Sequence, residues 1–398
     1  MEHMGAALST LSVFRPILRT PVMKRCTAFF QALARGAQIE TMACYTDIFY
    51  TLTEAGSYSL GSYLSKELQY LETPFSRAAA RGEAPEALWD AAKRDIEILN
   101  RLIGLDYHRL LHSGADTEEY DALIRSLPSW APGPPLELEA LAAGYRENGY
   151  GLFARGKSFL WEDGALRLAS CPDEIDAAAL YGYEWQRRAV YQNTRLLLKG
   201  GPAANVLLYG DSGTGKSVTV KSQLQFPEFS GLRIIEISRA GIPSLHRLME
   251  QLEGECQRFI LFIDDLSFDG DDTGFSVLKS ILEGGVGRRP RNAAVYATSN
   301  RRHMVRETFG DRAGDDVHAA ETIQEKTSLS DRFGLRIPYL ALSRDEYLAC
   351  VRHLTERAGA VFDDAAASAA MRWEIAHGGR TPRVAKQFVE QSFHEASC

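Results

Sequence analysis

The sequence predicts an α/β fold: a parallel five-stranded sheet between helices, closed by a C-terminal helical lid and preceded by a mainly helical N-terminal domain. Three observations predict it. Apolar strand-like runs at 205–209, 233–237, 259–263, 293–298 and 335–340 alternate with helix-compatible segments, the pattern of a parallel sheet covered on both faces. The first of these runs leads straight into residues 210–217, GDSGTGKS, which fit G-x-x-x-x-G-K-[ST]. The first third of the chain, by contrast, shows apolar residues at mixed three- and four-residue spacing and carries no chemical motif.

Taken in order, residues 1–127 form the expected helical domain, of unknown role. Its clearest helix is ALWDAAKRDIEILNRLIGL, where Leu88, Ala92, Ile96, Leu99, Leu102 and Ile103 approximate one face. The stretch LPSWAPGPPLE, residues 127–137, is dense in proline and reads as a linker. Two alternating runs around Glu162, Asp163 and Gly164 then predict a β-hairpin, so that linker and hairpin occupy 128–175. The α/β core spans 176–342. A helical lid, 343–398, opens at a Ser343 cap.

Composition bounds the function classes. The 398 residues are 45% hydrophobic and 24% charged, ordinary for a soluble globular chain of two or three domains. A net charge of −7 argues against a generally basic, nucleic-acid-coating protein. Six scattered cysteines without C-x-x-C spacing suggest reduced thiols and no zinc site. No apolar run reaches the roughly 18–20 residues that span a bilayer. Arg15, Arg19, Lys24 and Arg25 interrupt the N-terminal apolar stretches, which makes a poor signal peptide. The expectation is a cytoplasmic protein with no membrane span.

The glycine-rich turn is the centre of the chemistry. Val206–Leu207–Leu208–Tyr209 is the apolar pattern of a doubly buried strand. Gly210, Gly213 and Gly215 permit backbone angles that let N–H groups turn toward anionic oxygens. Asp211, Ser212, Thr214 and Val218 complete the loop and the first helical turn, whose dipole adds to the field. Lys216 would reach the β- and γ-phosphates, and Ser217 would hold Mg²⁺. Further along, RFILFIDDL is a strand ending in two carboxylates. Asp264 is expected on Mg²⁺ and Asp265 as the group that polarises water, about 1.5 Å shorter in reach than a glutamate. AAVYATSN ends in Thr298, Ser299 and Asn300, and Asn300 could bond the attacking water or the phosphate. Arg332 precedes the fifth strand in SLSDRFGL, while Arg380 and Arg383 stand near the start of a late helix. Clusters at Arg288, Arg289 and Arg291 and at Arg301, Arg302 and His303 could track nucleic-acid phosphates; intersubunit salt bridges are the preferred reading.

From about residue 180 to 388 these motifs resemble the AAA+ ATPases. Residues 210–217 look like Walker A, 259–265 like Walker B, Asn300 like sensor 1, Arg332 like the arginine finger, and Arg383 in TPR like sensor 2. The DRFG and TPR phrasing is similar to branch-migration motors, and the Asp-Asp pair to helicase loaders. YGYEWQRRA, LEGG, YATSNRRH and EKTSLSDRFGL look more narrowly like a bacterial group of ATP-binding proteins catalogued as domain-of-unknown-function family 815. The resemblance implies ATP and Mg²⁺ as ligands, with the segment 180–183, including Tyr181 and Gly182, against adenine. It also implies a homo-oligomeric ring, with a hexamer as the first expectation, acting on an unidentified macromolecular client. Two other readings stay open: a nucleotide-gated scaffold with little hydrolysis, and a small-molecule kinase.

Overall fold

A single sheet of seven strands organises the C-terminal part of the chain in this computed structural model, which describes residues 3–112, 118–169, 181–266, 273–283, 290–300 and 329–393. The strands are β1 Ser158–Glu162, β2 Ala165–Leu168, β3 Val206–Gly210, β4 Leu232–Ile237, β5 Arg258–Ile263, β6 Ala293–Ser299 and β7 Leu335–Tyr339. Their spatial order is β2-β1-β4-β5-β6-β3-β7. Every pairing is parallel except β1 with β2. The five expected strands are all present, and β6 lies between β3 and β5. The expected count of five is corrected to seven, because the hairpin joins the sheet beside β4.

The apolar runs explain the central strands. β6 is buried along its whole length and β5 along all but its first residue, so neither alternates inside and outside. The edge strand β2 is mostly exposed. The hairpin turns at Asp163 and Gly164, with φ of 51° and 71°, the two left-handed residues that a two-residue turn needs. Burial of Phe159 and Trp161 then ties β1 down. The Trp161 indole donates to Gly241 O at 3.2 Å and to Ser244 Oγ at 3.0 Å, in the segment that follows β4.

The chain divides into two compact units, Met1–Arg155 and Gly156–Cys398. In the first, helix Glu86–Ile103 buries Ala92, Ile96, Leu99, Leu102 and Ile103, as its periodicity predicts. The same helix buries one carboxylate completely. Asp95 accepts from Ser12 N at 2.9 Å and Phe14 N at 3.0 Å, which fastens the N-terminal segment. The proline-rich stretch differs from a free linker. Trp130 stacks on Tyr45 with ring centroids 4.8 Å apart, and the carbonyls of Ala131 and Pro132 accept from Leu60 and Gly61. Prolines that supply no donors still offer carbonyls to a neighbouring helix start.

In the second unit, helices Arg344–Arg357, Asp364–Ala376 and Pro382–Phe393 form a lid around Tyr347, Cys350, Val351 and Phe388. Ser343 caps the first of them reciprocally with Glu346, as its sequence predicts. No helix among the described residues is long and apolar enough to cross a membrane.

Candidate functional site

Parallel strands deliver their carboxyl ends to one edge of the sheet, and the motif residues collect there. β3 ends at Gly210, whose φ of 134° only glycine adopts readily and where a Cβ would collide with Tyr339 O. Gly213 and Gly215 follow at φ 75° and 91°. Among the described residues the N–H groups of Ser212, Gly213, Thr214 and Gly215 take no partner within the chain. Backbone donors left open in a glycine loop at a helix start form a cradle for an anionic oxygen cluster.

Lys216 is 5% exposed, and its ammonium donates to the carbonyls of Gly210 at 3.1 Å and Asp211 at 2.7 Å. Burial lowers its pKa, against the pull of the Asp211, Asp264 and Asp265 carboxylates. A buried cation held by loop carbonyls is poised for a phosphate. One helical position on, Ser217 Oγ donates to Asp264 Oδ1 at 2.6 Å. The same carboxylate oxygen accepts from Thr298 Oγ1 at 2.5 Å, so the helix that opens at Lys216 and β6 both bear on it. A hydroxyl and a carboxylate at this spacing are hard oxygen donors that fit Mg²⁺.

Asp265 leaves β5 in the left-handed conformation, φ 51°, with its N–H donating to Thr298 Oγ1 at 2.9 Å. That twist turns its carboxylate toward Asn300, whose Nδ2 donates to Asp265 Oδ1 at 2.9 Å. Sequence reading placed Thr298 only in a polar strand end. Its hydroxyl is in fact the junction between the two aspartates, and the signal for it was a threonine inside an otherwise apolar strand.

The lid closes on the loop from the other side. Arg383 N donates to Gly213 O at 3.2 Å, and a Cβ on Gly213 would lie 3.0 Å from Arg383 Cβ and 3.1 Å from Thr381 Oγ1. Arg383 therefore stands at the phosphate loop, together with Thr381, the first residue of the same TPR run. Tyr181 tilts against His353 of the lid with centroids 5.0 Å apart, and Gly182, at φ 77°, packs near Leu342. Tyr183 stacks on Tyr339 and donates to Leu340 O at 2.6 Å. Leu180 lies outside the described residues. Val218 is exposed on the first turn after Lys216.

One predicted loop residue turns its N–H and side chain away from the cradle, and one predicted arginine precedes β7. Asp211 spends its N–H on Tyr339 O and its carboxylate on Ala341 N. Arg332 lies just before β7, which opens with Leu335 opposite Val206, whereas Gly210 faces Tyr339 at the far end. Arg332 itself sits in a turn, its N–H donating to Leu329 O, ahead of the end of β7 that lies away from Gly210. Of the basic clusters, Arg291 is exposed, and Arg288, Arg289, Arg301, Arg302 and His303 lie outside the described residues.

The strand order, the glycine loop, the paired aspartates and the docked helical lid define a P-loop protein of the AAA+ fold. More narrowly, the chain belongs to the family described as "Protein of unknown function (DUF815)", whose model matches residues 154–396, more than half of its length. No curated protein matches the sequence. Among solved structures it is similar to the Thermotoga maritima RuvB Holliday junction branch migration motor, at 15% identity and a TM-score of 0.36. That match covers 53% of this chain and 61% of that one, under two thirds of its length. It is also similar to a chain in the Escherichia coli MS115-1 HORMA:CdnC:Trip13 complex, at 12% identity and TM-score 0.35, covering 56% and 92% of the two chains. Caenorhabditis elegans PCH-2 matches at 16% identity and TM-score 0.34, covering 56% and 72%.

Proposed function

We propose that this chain binds ATP with Mg²⁺ and hydrolyses it to ADP and phosphate, as a homo-oligomeric, ring-forming and cytoplasmic AAA+ ATPase that remodels a macromolecular client. The observation that carries the reading is one connected set of hydrogen bonds, from Ser217 through Asp264 and Thr298 to Asp265 and Asn300, beside the buried Lys216. Lys216 and the loop N–H groups of Ser212, Gly213, Thr214 and Gly215 bind the phosphates. Ser217 and Asp264 would hold Mg²⁺, which when bound supplies positive charge against the phosphate oxygens. Asp265 takes a proton from water at its carboxylate while Asn300 orients that carboxylate. Tyr181 and Gly182 flank the base, and Arg383 reaches the phosphates from the lid. Arg332, in the turn ahead of the end of β7 that lies away from Gly210, serves the site of a neighbouring copy.

Phosphate release by the purified full chain tests this, with Lys216→Ala as the control. Release above background that the variant lacks supports the reading, and equal rates would sink it. One observation favours a second reading, a nucleotide-gated scaffold. Asp265 is short, and one of its oxygens already accepts from Asn300. Tight ATP binding with no measurable turnover would select that alternative. For the client, nucleic acid is the secondary reading: loss of any DNA or RNA binding at low salt removes it.

A further inference from the structure

Asp211 is the second residue of the phosphate loop. A carboxylate beside bound phosphates repels them unless it is turned away and occupied. Here both its polar ends are committed elsewhere. Its N–H donates to Tyr339 O at 2.9 Å, and its Oδ2 accepts from Ala341 N at 2.7 Å. Residues 339–341 are the exit of β7 into the connector that leads, through Leu342 and Ser343, to lid helix Arg344–Arg357. That connector is held from two further sides: Tyr183 donates to Leu340 O, and Leu342 N donates to Arg380 O ahead of helix Pro382–Phe393.

The carbonyl of Asp211 points back into the site, where it accepts from Lys216 Nζ at 2.7 Å. One residue thus touches the lysine on one side and the lid connector on the other. A shift of the Lys216 ammonium toward a ligand takes a donor from that carbonyl, and the residue so released is the one whose carboxylate holds Ala341 N. The lid has a second seat on the same loop, at Gly213 O, so the loop holds both ends of the lid at once.

We infer that Asp211 is a positioning residue that latches the phosphate loop to the lid connector at Ala341, so that the lid's setting follows occupancy of the loop. The inference rests on the nucleotide-binding reading for what occupies the loop, but the latch itself is measurable in the free protein.

The test compares wild type, Asp211→Ala and Asp211→Asn by amide hydrogen exchange across residues 339–343, free and with ATP and Mg²⁺ added, together with nucleotide affinity and turnover. A hydrogen bond to a carboxylate predicts about tenfold or faster exchange at Ala341 in the alanine variant. The asparagine variant, whose side-chain oxygen accepts the same bond, recovers most of that protection. With nucleotide, the alanine variant keeps affinity within about threefold while turnover falls about tenfold, and exchange in the lid ceases to respond to nucleotide. Unchanged Ala341 exchange in Asp211→Ala would overturn the latch, as would an asparagine variant no better than alanine. Failure of the wild type to bind nucleotide would instead defeat the functional reading, with the free-protein exchange still deciding the latch.

Discussion

Asn300 and Asp265 are joined side chain to side chain, Nδ2 to Oδ1 at 2.9 Å, across the ends of two adjacent strands. The amide holds one oxygen of the carboxylate, which leaves the other to face water. Asp265→Asn removes the proton acceptor and keeps Asp264, so ATP binding should persist while turnover drops about 10²–10⁴-fold. Asn300→Ala should cost less, and the double variant should be no slower than Asp265→Asn alone, because the two act as one unit. Wild-type turnover in Asp265→Asn would assign the base to another carboxylate, such as Asp269 or Glu283.

Lys216→Ala should abolish nucleotide binding and leave the fold intact, since alanine suits the first turn of a helix. Calorimetric titration with ATP beside a thermal melt checks both halves. Unaltered affinity would remove the phosphate reading of the loop.

The buried lysine also predicts a pH dependence. Its folded pKa is lowered from the ordinary 10.5 by desolvation. In the window between the lowered value and 10.5, the unfolded chain binds more protons than the folded one. The lysine's contribution to stability therefore rises with pH through that window. ATP binding has the opposite sign, because phosphate favours the ammonium. Affinity should fall as pH climbs into the window, with proton uptake on binding. Titrations in two buffers of different ionisation enthalpy measure that uptake, and zero uptake throughout the window would contradict it.

In the first unit, Asp95→Ala should destabilise by about 3 kcal/mol, since the N–H groups of Ser12 and the buried Phe14 lose a charged acceptor. Asparagine, which keeps one acceptor oxygen, should cost less. Hydrogen exchange at residues 12–17 under mild urea reads this locally, and equal protection in the alanine variant would refute it.

How much of this was legible in the sequence depends on how local each feature is. Asp163–Gly164 announced a hairpin because a two-residue turn is a nearest-neighbour affair. That β1 would pair with β4, Ser158 opposite Ile234, was not visible, since parallel pairing is non-local and short edge strands carry little periodicity. The central strands and the glycine loop could be read because burial on both faces and positive φ each demand particular residue types. Thr298 and Asp211 could not be assigned their contacts, because their partners Asp264 and Ala341 come from distant segments. Pro128 to Pro135 looked like a linker because proline density marks irregular backbone. Whether irregular backbone is free or pinned depends on partners such as Tyr45 for Trp130, and composition does not encode that.

Arg332 separates a ring ATPase from a protein that works alone. The register of β7 on β3 sets the turn that carries it at the opposite end of the strand from Gly210. On the ring reading Arg332 meets the phosphates of another copy, where its forked, permanently charged donors oppose charge developing on the γ-phosphoryl oxygens. Such a finger is worth about 10³–10⁵ in rate, or roughly 4–7 kcal/mol of barrier. A head-to-tail interface whose rotation closes gives a ring. Arg332→Ala should bind ATP nearly as wild type does and hydrolyse it at background. Lys216→Ala should be equally inactive for want of nucleotide. Mixed together, the two variants should regain part of the activity, because a mixed interface pairs an intact loop from one chain with an intact arginine from the other. The check is turnover across mixing ratios, with native mass spectrometry confirming mixed oligomers. No recovery while mixed oligomers are present would mean that Arg332 does not act across the interface, and the ring reading would fall with it.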